Sequence, residues 1–263
     1  MKVITVRHMD DVNGLRQYGF NGPLKPGQEE LLDSIVQNLT GLLSEKIQVK
    51  MLYSSLTRRI KETAEAVQAR LLESLSVELL DDPRLESIQR GVLILPENYQ
   101  DGEWFNPLDE AWEAANDELF LERNPFYRFG DPYHGKYPHL EQSFAEPGNS
   151  FGEALMKKFS LITELINTED ELVVVVGQSD LPLLLRELFV LCREMDGVTA
   201  ENLPYVYWDR YRSHEPKETA YDREGIPFGH VEQFDLSLFS ETGMKEIISS
   251  AYDNLNKQFK STK

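Results

Sequence analysis

Polar pairs stand directly after three apolar runs of this sequence: Arg7-His8, Ser54-Ser55 and Gln178-Ser179. Of these residues, His8 could do covalent chemistry. A neutral imidazole nitrogen can attack phosphorus and form a phosphohistidine, which divides one difficult displacement into two easier ones. Arginine forks match phosphate oxygens in pairs, so Arg7 beside His8 is a combination that phosphoryl transfer could use.

Two more cations, Arg58 and Arg59, lie at the start of a predicted helix. The first turn of a helix has free N–H groups that favour anions. A transferring phosphoryl group carries charge on three oxygens, and the site must supply fixed cations and donors for it. Because arginines can supply this positive charge, we expect neither a metal ion nor another cofactor.

The elements that must position these residues follow from the apolar pattern. It predicts strands at Lys2–Val6, Val49–Tyr53, Val77–Leu80, Glu171–Val176 and Val231–Leu236. It predicts helices at Gln28–Ser44, Leu56–Leu75, Leu181–Met195 and Met244–Gln258, with the last residues of the chain frayed.

Alternating strands and helices indicate an α/β fold, here a three-layer α/β/α sandwich with a mostly parallel central sheet. The unbroken valines at 173–176 suit a central strand that is covered on both faces. Ligands of such sheets bind beyond the carboxyl ends of the strands. The three polar pairs are therefore expected to converge on one pocket.

Residues 92–150 break this alternation. They contain Trp104, Trp112, several prolines and many other aromatics. We interpret the chain as a single domain, 1–263, in which residues 92–150 form a cap insertion over the carboxyl ends of the strands. The cap would select the substrate, and its sequence does not name one.

Composition limits the partners. The net charge of −18 argues against nucleic acid and against an anionic membrane, so an anion site must be a local cluster of cations. No apolar run approaches the roughly 20 residues that cross a bilayer, and the first residues do not resemble a signal peptide. Cys192 is the one cysteine, so a cytoplasmic location is expected. A homodimer is compatible with the sequence.

Four motifs, taken in order, resemble those of the histidine phosphatase superfamily, whose fold is phosphoglycerate-mutase-like. They are VRHMDD, FNGPLKPGQEE, YSSLTRRIKETAEAV and VVVVGQSDLPLLLREL. The resemblance covers most of residues 2–67 and 147–190. It implies that His8 is phosphorylated, that Arg7 and Arg59 bind phosphate, and that Ser54, Ser55 and Thr63 are structural. Arg58 is then expected on the solvated face.

The chain also departs from the family pattern. The family's second histidine falls on Gln178, and the glycine after it falls on Ser179. Asn13 lies near a family position that contacts phosphate, and Gly148-Asn149-Ser150 replaces a Gly-Glu-Ser motif. The usual proton-donor glutamate has no match in register, because Ser87 takes its place and Glu86 is one residue away. Candidate substitutes for the acid are Glu86, Asp10, Asp11, His134, His139 and Glu146.

Two functions remain open at this point. The first is a metal-independent phosphatase or related phosphotransfer enzyme that acts on a small phosphorylated substrate through phospho-His8. Arg7 and Arg59 would hold the phosphoryl group, and Gln178 and Ser179 would contact it. The second is a degenerate relative that binds a phosphorylated ligand or a protein partner without hydrolysing it. The retained nucleophile favours the first, and the lost imidazole and acid favour the second.

Overall fold

The computed structural model describes residues 1–12, 21–43, 48–72, 75–86, 92–100, 107, 126, 128, 140–146, 148–168, 172–194, 196–207 and 226–262. Its strands are β1 (Lys2–Arg7), β2 (Val49–Tyr53), β3 (Val77–Asp81), β4 (Val92–Leu93), β5 (Phe144–Glu146), β6 (Leu172–Gly177) and β7 (Val231–Asp235). Its helices are α1 (Glu29–Leu42), α2 (Arg58–Leu71), α3 (Leu140–Ser143), α4 (Phe151–Asn167), α5 (Asp180–Leu191), α6 (Ser237–Glu241) and α7 (Met244–Thr262).

The main sheet has the order β3-β2-β6-β1-β7. β1, β2, β3 and β6 run parallel, and β7 pairs antiparallel with β1 at the edge. The valine strand β6 is central, between β1 and β2, as its apolar run predicts. The α/β class and the mostly parallel sheet are therefore confirmed.

Successive residues of β1 and β6 point to opposite faces of the sheet, because side chains alternate along a strand. One face packs Val3, Val173 and Val175 with residues of α4, α5 and α7. The other face packs Ile4, Val174 and Val176 with residues of α1 and α2. Two apolar cores on either side of one sheet make the three layers of the fold.

The sequence prediction misses a long helix and ends the terminal helix too early. The helix α4 is not among the predicted helices, although Ser150 and Glu153 form a capping box at its start, a sequence signature of a helix beginning. The terminal helix does not fray after Gln258 but continues to Thr262. The Phe259 ring lies 5.4 Å from the Phe126 ring, and this packing stabilises the last turns.

Within the predicted cap, the structure describes a small two-stranded antiparallel sheet of β4 and β5. Ile94 donates a backbone hydrogen bond to Ser143 beside it. Trp104 and Trp112 lie outside the described residues. No helix in the described ranges combines the length and apolar character that crossing a bilayer requires.

Candidate active site

His8 and Gln178 are neighbours because the strands before them pair in register. Arg7, the last residue of β1, lies opposite Gly177, the last residue of β6. The His8 N–H then donates to the Gly177 carbonyl at 3.0 Å. Both side chains therefore leave the same edge of the sheet, where the carboxyl ends of parallel strands form a ligand site.

His8 is held neutral, with its lone pair on one defined nitrogen. The residue is 2% exposed, and Nδ1 lies 2.6 Å from the Met9 carbonyl oxygen. Because a carbonyl only accepts, Nδ1 carries the proton and Nε2 carries the lone pair. Burial, together with the charges of Arg59 and Arg7, lowers the pKa of His8 to about 3. The imidazole is thus a neutral base at physiological pH.

Gln178 connects His8 to Arg59. Its amide orientation follows from its partners, since the donors of Arg59 require an acceptor. In that orientation the amide oxygen accepts from Arg59 Nε at 2.8 Å and from Nη2 at 2.6 Å, while the amide nitrogen donates to His8 Nε2 at 3.2 Å. One small amide thus spans the lone pair of His8 and the fork of Arg59, so these two groups face a common spot.

Arg7 is placed by the segment that precedes β7. Its Nη1 donates to the Ile226 carbonyl, and its guanidinium carbon lies 4.3 Å from the centre of the Phe228 ring. Gly229 closes this segment at φ 69°, and a Cβ there would meet the Leu31 side chain at 2.6 Å. Ile226, Phe228 and Gly229 are site-forming residues that the motifs do not reveal, because they contact Arg7 across more than 200 positions.

The Ser-Ser and Thr positions are structural in this fold. Ser55 donates its backbone N–H to Asp81 at 2.8 Å, which joins the ends of β2 and β3. Ser54 is fully buried. Thr63, also fully buried, accepts from the Met9 N–H at 3.0 Å and donates to the Arg59 carbonyl at 2.8 Å. Thr63 therefore fixes the loop after His8 against the helix that carries Arg59.

Replacing Thr63 with valine is expected to lower the free energy of unfolding by about 1–3 kcal/mol, because the buried Met9 N–H loses its acceptor. Urea titration measures this. Thr40→Val is the matched control: Thr40 makes the same bond to a carbonyl four residues back but is exposed. It should change stability by less than about 0.5 kcal/mol. Equal losses in both variants would contradict this role of Thr63.

Two neighbouring lysines of α4, Lys157 and Lys158, contact the segment around Glu86, and Lys158 also contacts the start of α5. Lys157 contacts the Glu86 carboxylate at 3.2 Å. Lys158 is only 3% exposed and donates to the Arg84 carbonyl at 3.0 Å, while its Nζ lies 3.2 Å from Asp180. A buried ammonium needs such partners. Lys158 thus anchors the helix start that follows Gln178, a role that its sequence position gives no sign of.

The remaining predicted residues lie as follows. Ser179 is fully buried at the start of α5. Arg58 is on the solvated face, as expected, with a side chain 49% exposed and paired with Glu62. Asn13, His134 and His139 lie outside the described residues. The structure therefore brings together Arg7, His8, Arg59 and Gln178 and leaves those three positions open.

The arrangement can hold an oxyanion beside a nucleophile. The edge of Arg59 that binds the Gln178 oxygen can equally bind a phosphate oxygen, because both are acceptors of the same fork. The Nε2 lone pair of His8 faces this position. The charge of Arg7 acts on the same imidazole.

No protein-family model matches the chain, and no curated protein matches it either. Among solved structures, it is similar to "Mycobacterial hydrolase 1", with 16% identity over 88% of this chain and 89% of that one, at a TM-score of 0.47. It is also similar to phosphoserine phosphatase from Entamoeba histolytica in complex with 3-phosphoglyceric acid, with 14% identity over 90% and 91% of the two chains and a TM-score of 0.43. A phosphoglycerate mutase from Bacillus anthracis is similar at 16% identity over 73% and 79%, with a TM-score of 0.44.

Proposed function

We propose that this protein is a divergent member of the histidine phosphatase superfamily, a metal-independent phosphomonoesterase or related phosphotransfer enzyme. It acts on a small phosphorylated substrate through a phosphohistidine at His8. The observation that carries the proposal is the His8–Gln178–Arg59 chain of contacts, in which a neutral, unprotonated Nε2 and an arginine fork address one position.

The substrate's phosphoryl group displaces the Gln178 amide, whose oxygen leaves the Arg59 fork and whose nitrogen leaves His8 Nε2. The Nε2 lone pair of His8 attacks phosphorus, and the positive charges of Arg59 and Arg7 stabilise the charge on the equatorial oxygens. The low pKa of His8 helps here, because no proton blocks the attacking nitrogen near neutral pH. Water then attacks the phosphoenzyme and restores the neutral imidazole.

A second candidate function is binding without hydrolysis. Gln178 favours it, because an amide donates to a phosphate but adds none of the positive charge that an imidazolium brings. Deleting one hydrogen-bond donor at an oxyanion-type site costs on the order of 10²–10³ in rate, and the loss of a positive charge weakens the same stabilisation. In this alternative, Arg7 and Arg59 would hold a phosphorylated ligand, and His8 would remain unmodified.

Trapping the covalent intermediate tests the proposal directly. The protein is mixed with 2,4-dinitrophenyl phosphate, quenched in alkali, and digested for mass spectrometry. We expect phosphate on His8 that survives alkali and is lost in acid, together with release of dinitrophenol that a metal chelator does not slow.

The same experiment separates the two candidates. Inorganic phosphate that binds by calorimetry, with no dinitrophenol release and no modified His8, would overturn the enzyme and support the binding protein. Loss of turnover on chelation would overturn the metal-independent mechanism.

A further inference from the structure

The proposed reaction needs a proton for its leaving group, and several described carboxylates near the sheet edge are already committed to other partners. Glu86 contacts Lys157, Asp81 accepts from Ser55, and Asp180 contacts Lys158. Each of these contacts holds two elements together, and none of the three is with the arginine that would bind the phosphoryl group.

Asp11 contacts the arginine that would hold the phosphoryl group. Its Oδ2 is 3.6 Å from Nη1 of Arg59, whereas the Gln178 oxygen is held by Nε and Nη2 of the same guanidinium. Asp11 follows His8 by three residues. A phosphoryl group bound in the fork would therefore have the carboxyl group of Asp11 beside the same arginine, and the side chain is 25% exposed, which leaves it accessible to a substrate.

The backbone around Asp11 is fixed from both sides. Asp10 donates to the Gln28 side chain at 2.9 Å and accepts from it at 2.9 Å. The Val12 N–H donates to the Pro23 carbonyl at 2.8 Å, and Asp11 itself forms an isolated antiparallel bridge with Leu24. Proton transfer needs a donor held in place, and these bonds provide that for Asp11.

The surroundings also favour the protonated form. Burial raises the pKa of Asp11, and the neighbouring charge of Asp10 raises it further, while Arg59 and Lys25 act in the opposite direction. The net direction is upward. A carboxyl group that keeps its proton at higher pH is a better general acid near neutrality.

We propose that Asp11 is the general acid of this site and protonates the leaving oxygen of the substrate. The inference rests on the proposed function. As the His8 Nε2–phosphorus bond forms, the phosphorus–oxygen ester bond breaks, its electron pair stays on the leaving oxygen, and the Asp11 carboxyl proton moves to that oxygen to give an alcohol. The Asp11 carboxylate then takes a proton from the attacking water, whose oxygen bonds to phosphorus while the nitrogen–phosphorus pair returns to Nε2.

Leaving-group dependence tests this role. Phenol is a weak acid and leaves poorly without a proton, whereas 2,4-dinitrophenol is a strong acid and needs none. Asp11→Asn should lower kcat/KM on phenyl phosphate by about 10²–10⁴ and leave kcat/KM on 2,4-dinitrophenyl phosphate within about tenfold of wild type. The ratio kcat/KM is used because it covers the steps up to departure of the leaving group and not the later attack of water, which is the same for both esters. Wild-type kcat/KM on phenyl phosphate should fall as pH rises through the pKa of Asp11, and the variant should lack this decline.

Asp10→Asn is the matched control. It removes the same charge one residue earlier in the chain, and the Asp10 carboxylate pairs with Lys25. It should keep the leaving-group pattern of the wild type. Equal losses of kcat/KM on both esters in Asp11→Asn, or the same selective loss in Asp10→Asn, would overturn the role of Asp11 while the phosphatase stands. If the wild-type protein hydrolyses neither phenyl phosphate nor 2,4-dinitrophenyl phosphate, the proposed function is overturned, and this inference with it.

Discussion

Asparagine in place of His8 is expected to lower kcat/KM for 2,4-dinitrophenyl phosphate by about 10⁴-fold or more, because the attacking lone pair is lost. Asparagine is the preferred replacement, since its amide can still donate to the Met9 carbonyl that now accepts from Nδ1. The measurement is initial-rate release of dinitrophenol, with the phosphoenzyme followed by mass spectrometry.

Phosphate binding should survive this change, because Arg7 and Arg59 remain. Isothermal titration with inorganic phosphate therefore distinguishes a lost nucleophile from a collapsed site. Arg58→Ala serves as a control, since this arginine is 49% exposed and pairs with Glu62 on the solvated face. Its rate should stay close to wild type. Dinitrophenol release by His8→Asn at the wild-type rate would rule out covalent catalysis at His8.

The second large effect concerns stability in acid. The pKa of His8 is about 3 in the folded protein, against an ordinary value of 6.5. Between these values the unfolded chain binds a proton that the folded chain does not, so stability falls as pH decreases. Well above pH 6.5, His8 is neutral in both the folded and the unfolded chain, and it no longer makes the free energy of unfolding depend on pH. Below pH 6.5 the slope approaches about 1.4 kcal/mol per pH unit, and the total loss is on the order of 5 kcal/mol by pH 3.

Urea titrations of the wild type and His8→Asn from pH 8 to pH 4.5 measure this effect as a difference in slope. The variant should lose less stability per pH unit than the wild type, whatever its stability at pH 8. A direct readout is the imidazole NMR resonance of His8, which should not titrate over this range. Parallel pH profiles for the two proteins, or a His8 resonance that titrates near pH 6.5, would contradict the buried neutral imidazole.

The pattern of apolar residues determines much of this fold. Valine repeats that bury both faces can pack only in a covered sheet, and β6 is indeed central. The ends of the apolar runs also predict that Arg7-His8 and Gln178 lie at strand ends. The register between β1 and β6 then makes them neighbours. The helix α4 could have been predicted as well, because its capping box at Ser150 and Glu153 is a local signal.

Tertiary structure decided the rest, because it depends on contacts between residues that are distant in the chain. The stacking of Phe228 on Arg7, the anchoring of Asp180 by buried Lys158 and the ring contact that extends the last helix all join separate elements. The neutrality of His8 is also a property of the fold. Its pKa is lowered mainly by burial and by Arg59, which lies 51 residues further along the chain, and also by the adjacent Arg7. Sequence offered several candidate acids, and our proposal of Asp11 among the described ones rests on its contact with Arg59, because spacing along a chain does not determine distance in space.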